Sequence, residues 1–129
     1  MNVNETIARI LKLEGVQWVA CFPQNPLIEE VAKVGIRPIA FRHERGAGMA
    51  ADGFSRMNDR QKFGVFIMQS QAGAENSMGA ISQAYADNVP ILILPGRPAL
   101  DRLSIRPEDR KSTRLNSSHI QKSRMPSSA

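Results

Sequence analysis

The chain has 129 residues, a formal net charge of +5 and a hydrophobic content of 42%. These values are typical of a soluble globular protein with one core-forming domain. The single cysteine, Cys21, excludes an internal disulfide bond, so we expect a core position for it and a reducing, cytoplasmic setting. The longest apolar run, residues 91–94, is too short to span a bilayer, and charged residues interrupt the first 20 positions, so we expect neither a membrane span nor a signal peptide.

The positive charge is concentrated in the last quarter of the chain. Residues 1–96 contain nine lysine or arginine residues and nine acidic residues, so this part has no net charge. Residues 97–107 contribute +2, and residues 108–129 contribute +3. The composition of the first part therefore gives no reason to expect binding to nucleic acid.

The first 95 residues predict four units, each a helix followed by a strand. Asn2 and Glu5 resemble a capping box at the start of the first helix, which Gly15 ends. One face of this helix carries Ile7, Ile10 and Leu11. Residues 16–22 form the first predicted strand.

The second unit begins at Asn25, which we interpret as an N-cap, with Pro26 at the first helical position. The predicted buried stripe consists of Leu27, Ile28, Val31 and Ala32. Gly35 ends this helix, and residues 36–41 form the second strand.

The third helix, residues 44–57, is rich in glycine and alanine and has one side that is nearly bare. Glycine inside a helix costs about 1 kcal/mol relative to alanine. We therefore expect that the small residues allow close approach of another backbone, a ligand or a partner subunit, which offsets this cost. Tight packing on its own sheet is an equally good explanation. Strand 64–68, a polar loop at 69–73, helix 74–87 and strand 91–94 complete the pattern.

Short apolar strands that alternate with helices predict an α/β fold. We expect an open parallel sheet with helices on both faces, a three-layer α/β/α arrangement, in a domain that spans residues 1–107. Residues 108–129 contain seven serine or threonine residues and no helical or strand period, which predicts disorder. This segment also resembles a translated adapter sequence, so we expect it to be non-native and the domain to be truncated near residue 107.

Glu44 is the leading candidate for chemistry. It follows the second predicted strand and opens the third helix, and ligands bind at the carboxyl ends of strands in open α/β sheets. A carboxylate buried there can share a proton with a heterocyclic nitrogen. A favourable contact with the helix dipole is the simpler explanation.

Five motifs occur in order along the chain. They are Phe22-Pro23, His43-Glu44, Ala51-Asp52-Gly53-Phe54-Ser55-Arg56, Gln71-Ala72-Gly73-Ala74-Glu75-Asn76, and Ala86-Asp87-Asn88-Val89-Pro90 leading to Gly96. In this order and spacing, residues 1–107 resemble the N-terminal, pyrimidine-binding domain of thiamine diphosphate-dependent enzymes of the acetolactate synthase type.

The resemblance implies that Glu44 is the catalytic glutamate, which hydrogen-bonds the N1′ position of the cofactor's aminopyrimidine ring and so activates the thiazolium C2 position. It also implies that Pro23, Gly73 and Asn76 line the cofactor site, although ordinary turn, backbone-geometry and cap roles remain open for them. The implied substrate is a small 2-oxo acid, and the implied assembly is a homodimer or homotetramer.

Two departures and one absence limit what the resemblance implies. Gln24 stands where the family usually has glycine, and Gln71-Ala72 replaces Gly-Pro, which favours a relative of acetolactate synthase over that enzyme itself. The family binds the diphosphate through Mg²⁺ in a C-terminal domain with a Gly-Asp-Gly motif, and no such motif occurs here. We therefore expect this chain to be inactive alone; FAD is possible in the full enzyme.

Two alternatives remain open. In one, the chain is a non-catalytic α/β binding or assembly domain with Glu44 as a capping carboxylate. In the other, the basic tail is a nucleic-acid arm. His43 either orients its neighbourhood or caps the third helix.

Overall fold

The computed structural model describes residues 2–59 and 61–97 of the chain. The first compact unit is Met1–Gly96, and the second, Arg97–Ala129, lies almost wholly outside the described residues. The predicted domain end at residue 107 and the predicted disorder of residues 108–129 therefore also lie outside them.

Helices and strands alternate along the first unit. They are α1 (Val3–Leu13), β1 (Trp18–Cys21), α2 (Leu27–Lys33), β2 (Arg37–Ala40), α3 (Glu44–Met57), β3 (Gly64–Met68), α4 (Ala72–Ala86) and β4 (Ile91–Pro95). Local signals set several of these ends. Asn2 accepts a hydrogen bond from the Glu5 backbone N–H at 2.8 Å, which confirms the predicted helix start. Gly15 and Gly35 end α1 and α2 with φ values of 79° and 77°, a region that favours glycine.

The four strands form one parallel sheet in the order β2-β1-β3-β4. The chain runs outward from β1 to β2, then crosses back to β3 and continues to β4. The direction of the strand order therefore reverses between β1 and β3, and a crevice at the carboxyl ends of such a pair is where open α/β sheets bind ligands.

Two apolar clusters lie on opposite faces of the sheet. One includes residues of α1 and α2, such as Leu11 and Val31, and the other includes Ala47 and Ala51 of α3. Cys21 is in the first cluster and is 2% exposed, as its apolar surroundings predict. The predicted α/β fold with a parallel sheet and helices on both faces is confirmed.

Three details of the prediction were wrong. Ile10 is 52% exposed, because Ala8 and Leu11 provide the buried face of α1 instead. Ala32 is also exposed, since α2 contributes Leu27 and Val31 to the core. Helix α4 begins at Ala72 rather than residue 74, because Gln71 has the non-helical angles φ 57° and ψ −112° directly before it.

The small residues of α3 are used inside the unit. A Cβ at Gly48 would lie 2.8 Å from the Ala80 Cβ of α4, and a Cβ at Gly64 would collide with the Ala51 carbonyl. These contacts let α3 approach both α4 and the start of β3 closely. Tight packing on its own sheet and neighbouring helix therefore accounts for much of the bare face of α3.

Candidate functional site

Glu44 is a buried carboxylate at the carboxyl edge of the sheet. Helix α3 begins at Glu44, four residues after β2 ends at Ala40, and the glutamate is 2% exposed. A carboxylate at a helix start has a favourable interaction with the helix dipole, which offsets part of its desolvation. The helix start explains the position of Glu44, but not why its carboxylate is turned into the protein.

His43 is the N-cap of α3. Its Nδ1 accepts a hydrogen bond from the Arg45 backbone N–H at 3.1 Å and lies 3.9 Å from Glu44 Oε2. The structure thus confirms the capping interpretation of His43, whose side chain is 57% exposed.

Asn76 contacts Glu44 from the second turn of α4. Its Nδ2 donates a hydrogen bond to Glu44 Oε2 at 3.3 Å across 32 residues of sequence. Asn76 does not cap α4, because that helix begins four residues earlier, at Ala72. The amide fixes one oxygen of the buried carboxylate and compensates for part of its lost hydration.

Gly73 lies beside the other oxygen of Glu44. A Cβ at Gly73 would be 3.4 Å from Glu44 Oε1 and 2.5 Å from the Gln69 Cγ. Gly73 lies within α4 and is not one of the glycines with positive φ, so the expectation that it serves backbone geometry was wrong. A Cβ at this position would collide with Gln69 Cγ, whereas it would only reach van der Waals contact with the carboxylate.

The three residues form a carboxylate site: Glu44, Gly73 and Asn76. Oε2 of Glu44 is held by an amide, while Oε1 accepts no hydrogen bond from the residues that the structure describes. An oxygen that no described residue occupies can share a proton or hydrogen bond with a ring nitrogen, so the chemistry of this carboxylate fits the aminopyrimidine ring of thiamine diphosphate.

Pro23 follows β1, on the other side of the crevice, and is exposed. It lies at the same edge of the sheet as the carboxylate site, and the described residues give it no hydrogen bond to that site. Its neighbour Asn25 has a larger structural role than the predicted cap. The Asn25 Oδ1 accepts from the Leu27 N–H at 3.0 Å, which confirms the capping contact.

The Asn25 amide also ties two strand ends to the turn after β1. Its Nδ2 donates to the carbonyl oxygens of Met68 at 2.7 Å and Leu94 at 3.3 Å. The turn is thus fixed against the ends of β3 and β4. Sequence reasoning missed this role, since the only local signal at Asn25 was the proline that follows it.

Residues in the later half of α3 make contacts at the amino ends of the strands, opposite the carboxylate site. Arg56 donates to Asp52 at 2.9 Å and to Asp87 at 2.6 Å, and these side-chain hydrogen bonds raise the pKa of Arg56. Ser55 accepts from the Gly64 N–H at 2.8 Å and contacts the Pro90 carbonyl oxygen at 2.7 Å. These contacts join α3 to the beginnings of β3 and β4 and are structural.

Two properties of the described residues bear on other functions. None of their helices is both long and apolar enough to cross a membrane. Within the same part of the chain, no group of three or more histidine, cysteine or acidic side chains is arranged to hold a metal ion.

Comparisons with known proteins identify the family of the chain. A sequence model of the family described as "Thiamine pyrophosphate enzyme, N-terminal TPP binding domain" matches residues 1–121. This range extends into the segment that composition predicts to be non-native. The match supports the cofactor expected from the five motifs.

Several curated proteins are similar to the chain. A probable 2-ketoarginine decarboxylase of Pseudomonas aeruginosa is 35% identical over 97 residues, which are 73% of this chain and 17% of that protein. A probable acetolactate synthase large subunit of Methanocaldococcus jannaschii is 34% identical over 100 residues, which are 75% and 17% of the two chains. The chain thus spans about a sixth of the length of these relatives.

Solved structures share the fold. A putative thiamin diphosphate-dependent enzyme from Mycobacterium smegmatis superposes with a TM-score of 0.66 at 20% identity, covering 83% of this chain and 21% of that one. A 4-hydroxybenzoylformate decarboxylase of Rhodococcus jostii gives a TM-score of 0.65 at 19% identity, covering 81% and 20%.

Proposed function

The chain belongs to the thiamine pyrophosphate enzymes as an N-terminal TPP-binding domain, and we propose that Glu44 is the carboxylate that activates the cofactor's aminopyrimidine ring. One observation carries this proposal: the Glu44 carboxylate is 2% exposed, with Oε2 held by Asn76 and Oε1 beside the space at Gly73. The family match favours this enzyme interpretation over a non-catalytic assembly domain.

Each of the three residues of the carboxylate site has a different role in binding the cofactor ring. Glu44 Oε1 hydrogen-bonds the N1′ position of the ring and holds or releases a proton there. Asn76 keeps the carboxylate in one orientation, so that the oxygen does not have to be reoriented when the ring binds. Gly73 leaves room for the ring. When bound, the cofactor supplies the carbanion chemistry at its thiazolium C2.

The reaction class is a lyase or transferase acting on a 2-oxo acid. The names of similar proteins, a 2-ketoarginine decarboxylase and an acetolactate synthase, support this part of the proposal. The substrate is thus a small molecule rather than nucleic acid or membrane. We place the enzyme in the cytoplasm. The turn that contains Pro23 lies at the cofactor site in our proposal.

Other parts of the enzyme lie outside this chain in our proposal. Residues 1–107 are one domain of a longer polypeptide, since the chain spans about 17% of its curated relatives. The diphosphate and its Mg²⁺ bind to a C-terminal domain, FAD is possible, and the full enzyme is a homodimer or homotetramer. The chain alone is therefore inactive.

The test is Glu44→Gln in the full-length enzyme, with Glu75→Gln as a matched control. Glutamine keeps the shape of Glu44 but cannot take part in proton sharing, and Glu75 is an exposed glutamate in the first turn of α4. We expect cofactor-dependent turnover of a 2-oxo acid to fall at least about 100-fold for Glu44→Gln only. Unchanged turnover would reject the catalytic role.

A further inference from the structure

Four residues other than glycine have a positive φ among the described residues, and they fall into two pairs. Asp59 and Asn88, with φ values of 50° and 53°, follow the ends of α3 and α4, and asparagine and aspartate tolerate this backbone region well. The other two are Gln24 and Gln71, with φ values of 73° and 57°. Glutamine gains no local hydrogen bond that favours such a conformation.

Gln71 has the more unusual backbone of the two glutamines. Its ψ of −112° places it outside the left-handed helical region, in a conformation that favours glycine. Both glutamines also stand where the motif pattern of the family has glycine. Strain of this kind persists at a position when the side chain contributes something that glycine does not.

The two glutamines lie on either side of the crevice between β1 and β3. Gln24 is in the turn after β1, and Gln71 is in the loop between β3 and α4. The hydrogen bond from Asn25 to the Met68 carbonyl oxygen fixes the first turn against the end of β3. Gln71 is two residues before Gly73, which borders the Glu44 carboxylate.

Both side-chain amides are free to bind a ligand. Gln24 is exposed and Gln71 half-buried, and neither amide hydrogen-bonds to any residue that the structure describes. An amide offers two donors and one acceptor, so it pairs with a carboxylate, an amide or a guanidinium group. An apolar ligand would leave these groups unpaired, which disfavours its binding.

We propose that Gln24 and Gln71 are specificity-determining residues, whose amides bind the polar end of the side chain of a 2-oxo acid substrate. This inference rests on the proposed function, since it assigns the substrate class of the same enzyme.

The experiment uses the full-length enzyme with two substitutions at each position. Gln24→Gly and Gln71→Gly remove the amide and relax the backbone, whereas Gln24→Ala and Gln71→Ala remove the amide and keep the strain. Asn88→Gly is the control, since it places glycine at a positive φ that asparagine already tolerates, far from the carboxyl edge of the sheet. The readouts are Tm of the cofactor-free enzyme and kcat/KM for 2-ketoarginine, 2-oxoglutarate, pyruvate and 2-oxoisovalerate.

We expect Gln24→Gly and Gln71→Gly to raise Tm by about 1–3 °C, and neither the alanine variants nor Asn88→Gly to do so. Of the two polar acids, 2-ketoarginine and 2-oxoglutarate, the one with the higher kcat/KM in the wild type should lose about 10-fold in kcat/KM in all four glutamine variants. The kcat/KM values for pyruvate and 2-oxoisovalerate should change less than about 2-fold. Asn88→Gly should leave every kcat/KM unchanged.

An equal loss for all four acids, no loss for any, or a wild-type enzyme that uses only the apolar acids would overturn the proposal. None of these results touches the proposed function, which instead fails when Glu44→Gln leaves turnover intact or when the wild-type enzyme uses no 2-oxo acid.

Discussion

Glu44 Oε1 lies 3.4 Å from the position that a Cβ at Gly73 would occupy. The two residues come from the first turns of α3 and α4, and their proximity leaves room beside the buried carboxylate. Glycine at this position avoids a collision with Gln69 Cγ, although it lies in a helix, where glycine is unfavourable.

Gly73→Ala is expected to destabilise the chain by about 1–3 kcal/mol, because the new methyl group would meet Gln69 Cγ at 2.5 Å and crowd Glu44. The matched control is Gly53→Ala in α3, where a Cβ meets nothing within 4 Å. That substitution should stabilise the chain by about 0.5–1 kcal/mol. Urea unfolding measures both, and equal shifts for the two variants would show that Gly73 is not sterically restricted.

Ser55→Ala tests the structural motif of α3. The substitution leaves the buried Gly64 N–H without its serine acceptor, which should cost about 1–3 kcal/mol in the free energy of unfolding. Ser77 is an equally buried helical serine, but its hydroxyl donates to the Gly73 carbonyl oxygen within its own helix. We expect Ser77→Ala to change stability by less than about 0.5 kcal/mol, and a cost similar to that of Ser55→Ala would contradict this account.

Cys21 predicts a loss of stability at alkaline pH. Burial raises the pKa of the Cys21 thiol in the folded state. Its contribution is therefore complete below the unfolded-state pKa of about 8.5 and is lost as pH rises from there through the folded-state pKa. Urea unfolding under reducing conditions should show a steeper fall in stability above about pH 8.5 for the wild type than for Cys21→Ala. Parallel pH profiles would show that the thiol is not responsible.

The free edge of β4 predicts self-association. Within the described residues β4 pairs only with β3. Residues 91–94 of β4 are half-buried and Pro95 is exposed, whereas every residue of β3 is buried. An apolar edge favours association, and in our proposal the diphosphate anchor lies outside this chain, which weakens cofactor binding. We expect size-exclusion chromatography with light scattering to show oligomers or aggregates, and thiamine diphosphate with Mg²⁺ to leave Tm unchanged. A monodisperse monomer whose Tm rises with cofactor would contradict this.

The sequence predicts elements best where the signals are local. The bounds of α3 and β3 agree with the prediction, because a polar cap opens the helix and a continuous apolar run forms the strand. The start of α4 was placed two residues late, since nothing local indicates that Gln71 adopts a backbone conformation typical of glycine. Gly73 was therefore assigned to a loop.

Much of the candidate site could not be derived from periodicity alone. The hydrogen bond between Asn76 and Glu44 joins two helices, and the bonds from Asn25 to two strand ends join parts of the chain 43 and 69 residues apart. Such contacts depend on how the crossovers place each helix on the sheet. The family resemblance pointed to Asn76, whereas the role of Asn25 emerged only from the structure.

The most direct measurement is the rate at which the C2 proton of bound thiamine diphosphate exchanges with deuterium in the full-length enzyme, followed by NMR. This rate reports activation of the cofactor without depending on the substrate. We expect Glu44→Gln to slow the exchange at least about 100-fold and Glu75→Gln to leave it at the wild-type rate. A wild-type exchange rate in a folded, cofactor-loaded Glu44→Gln enzyme would contradict the central claim that Glu44 activates the cofactor.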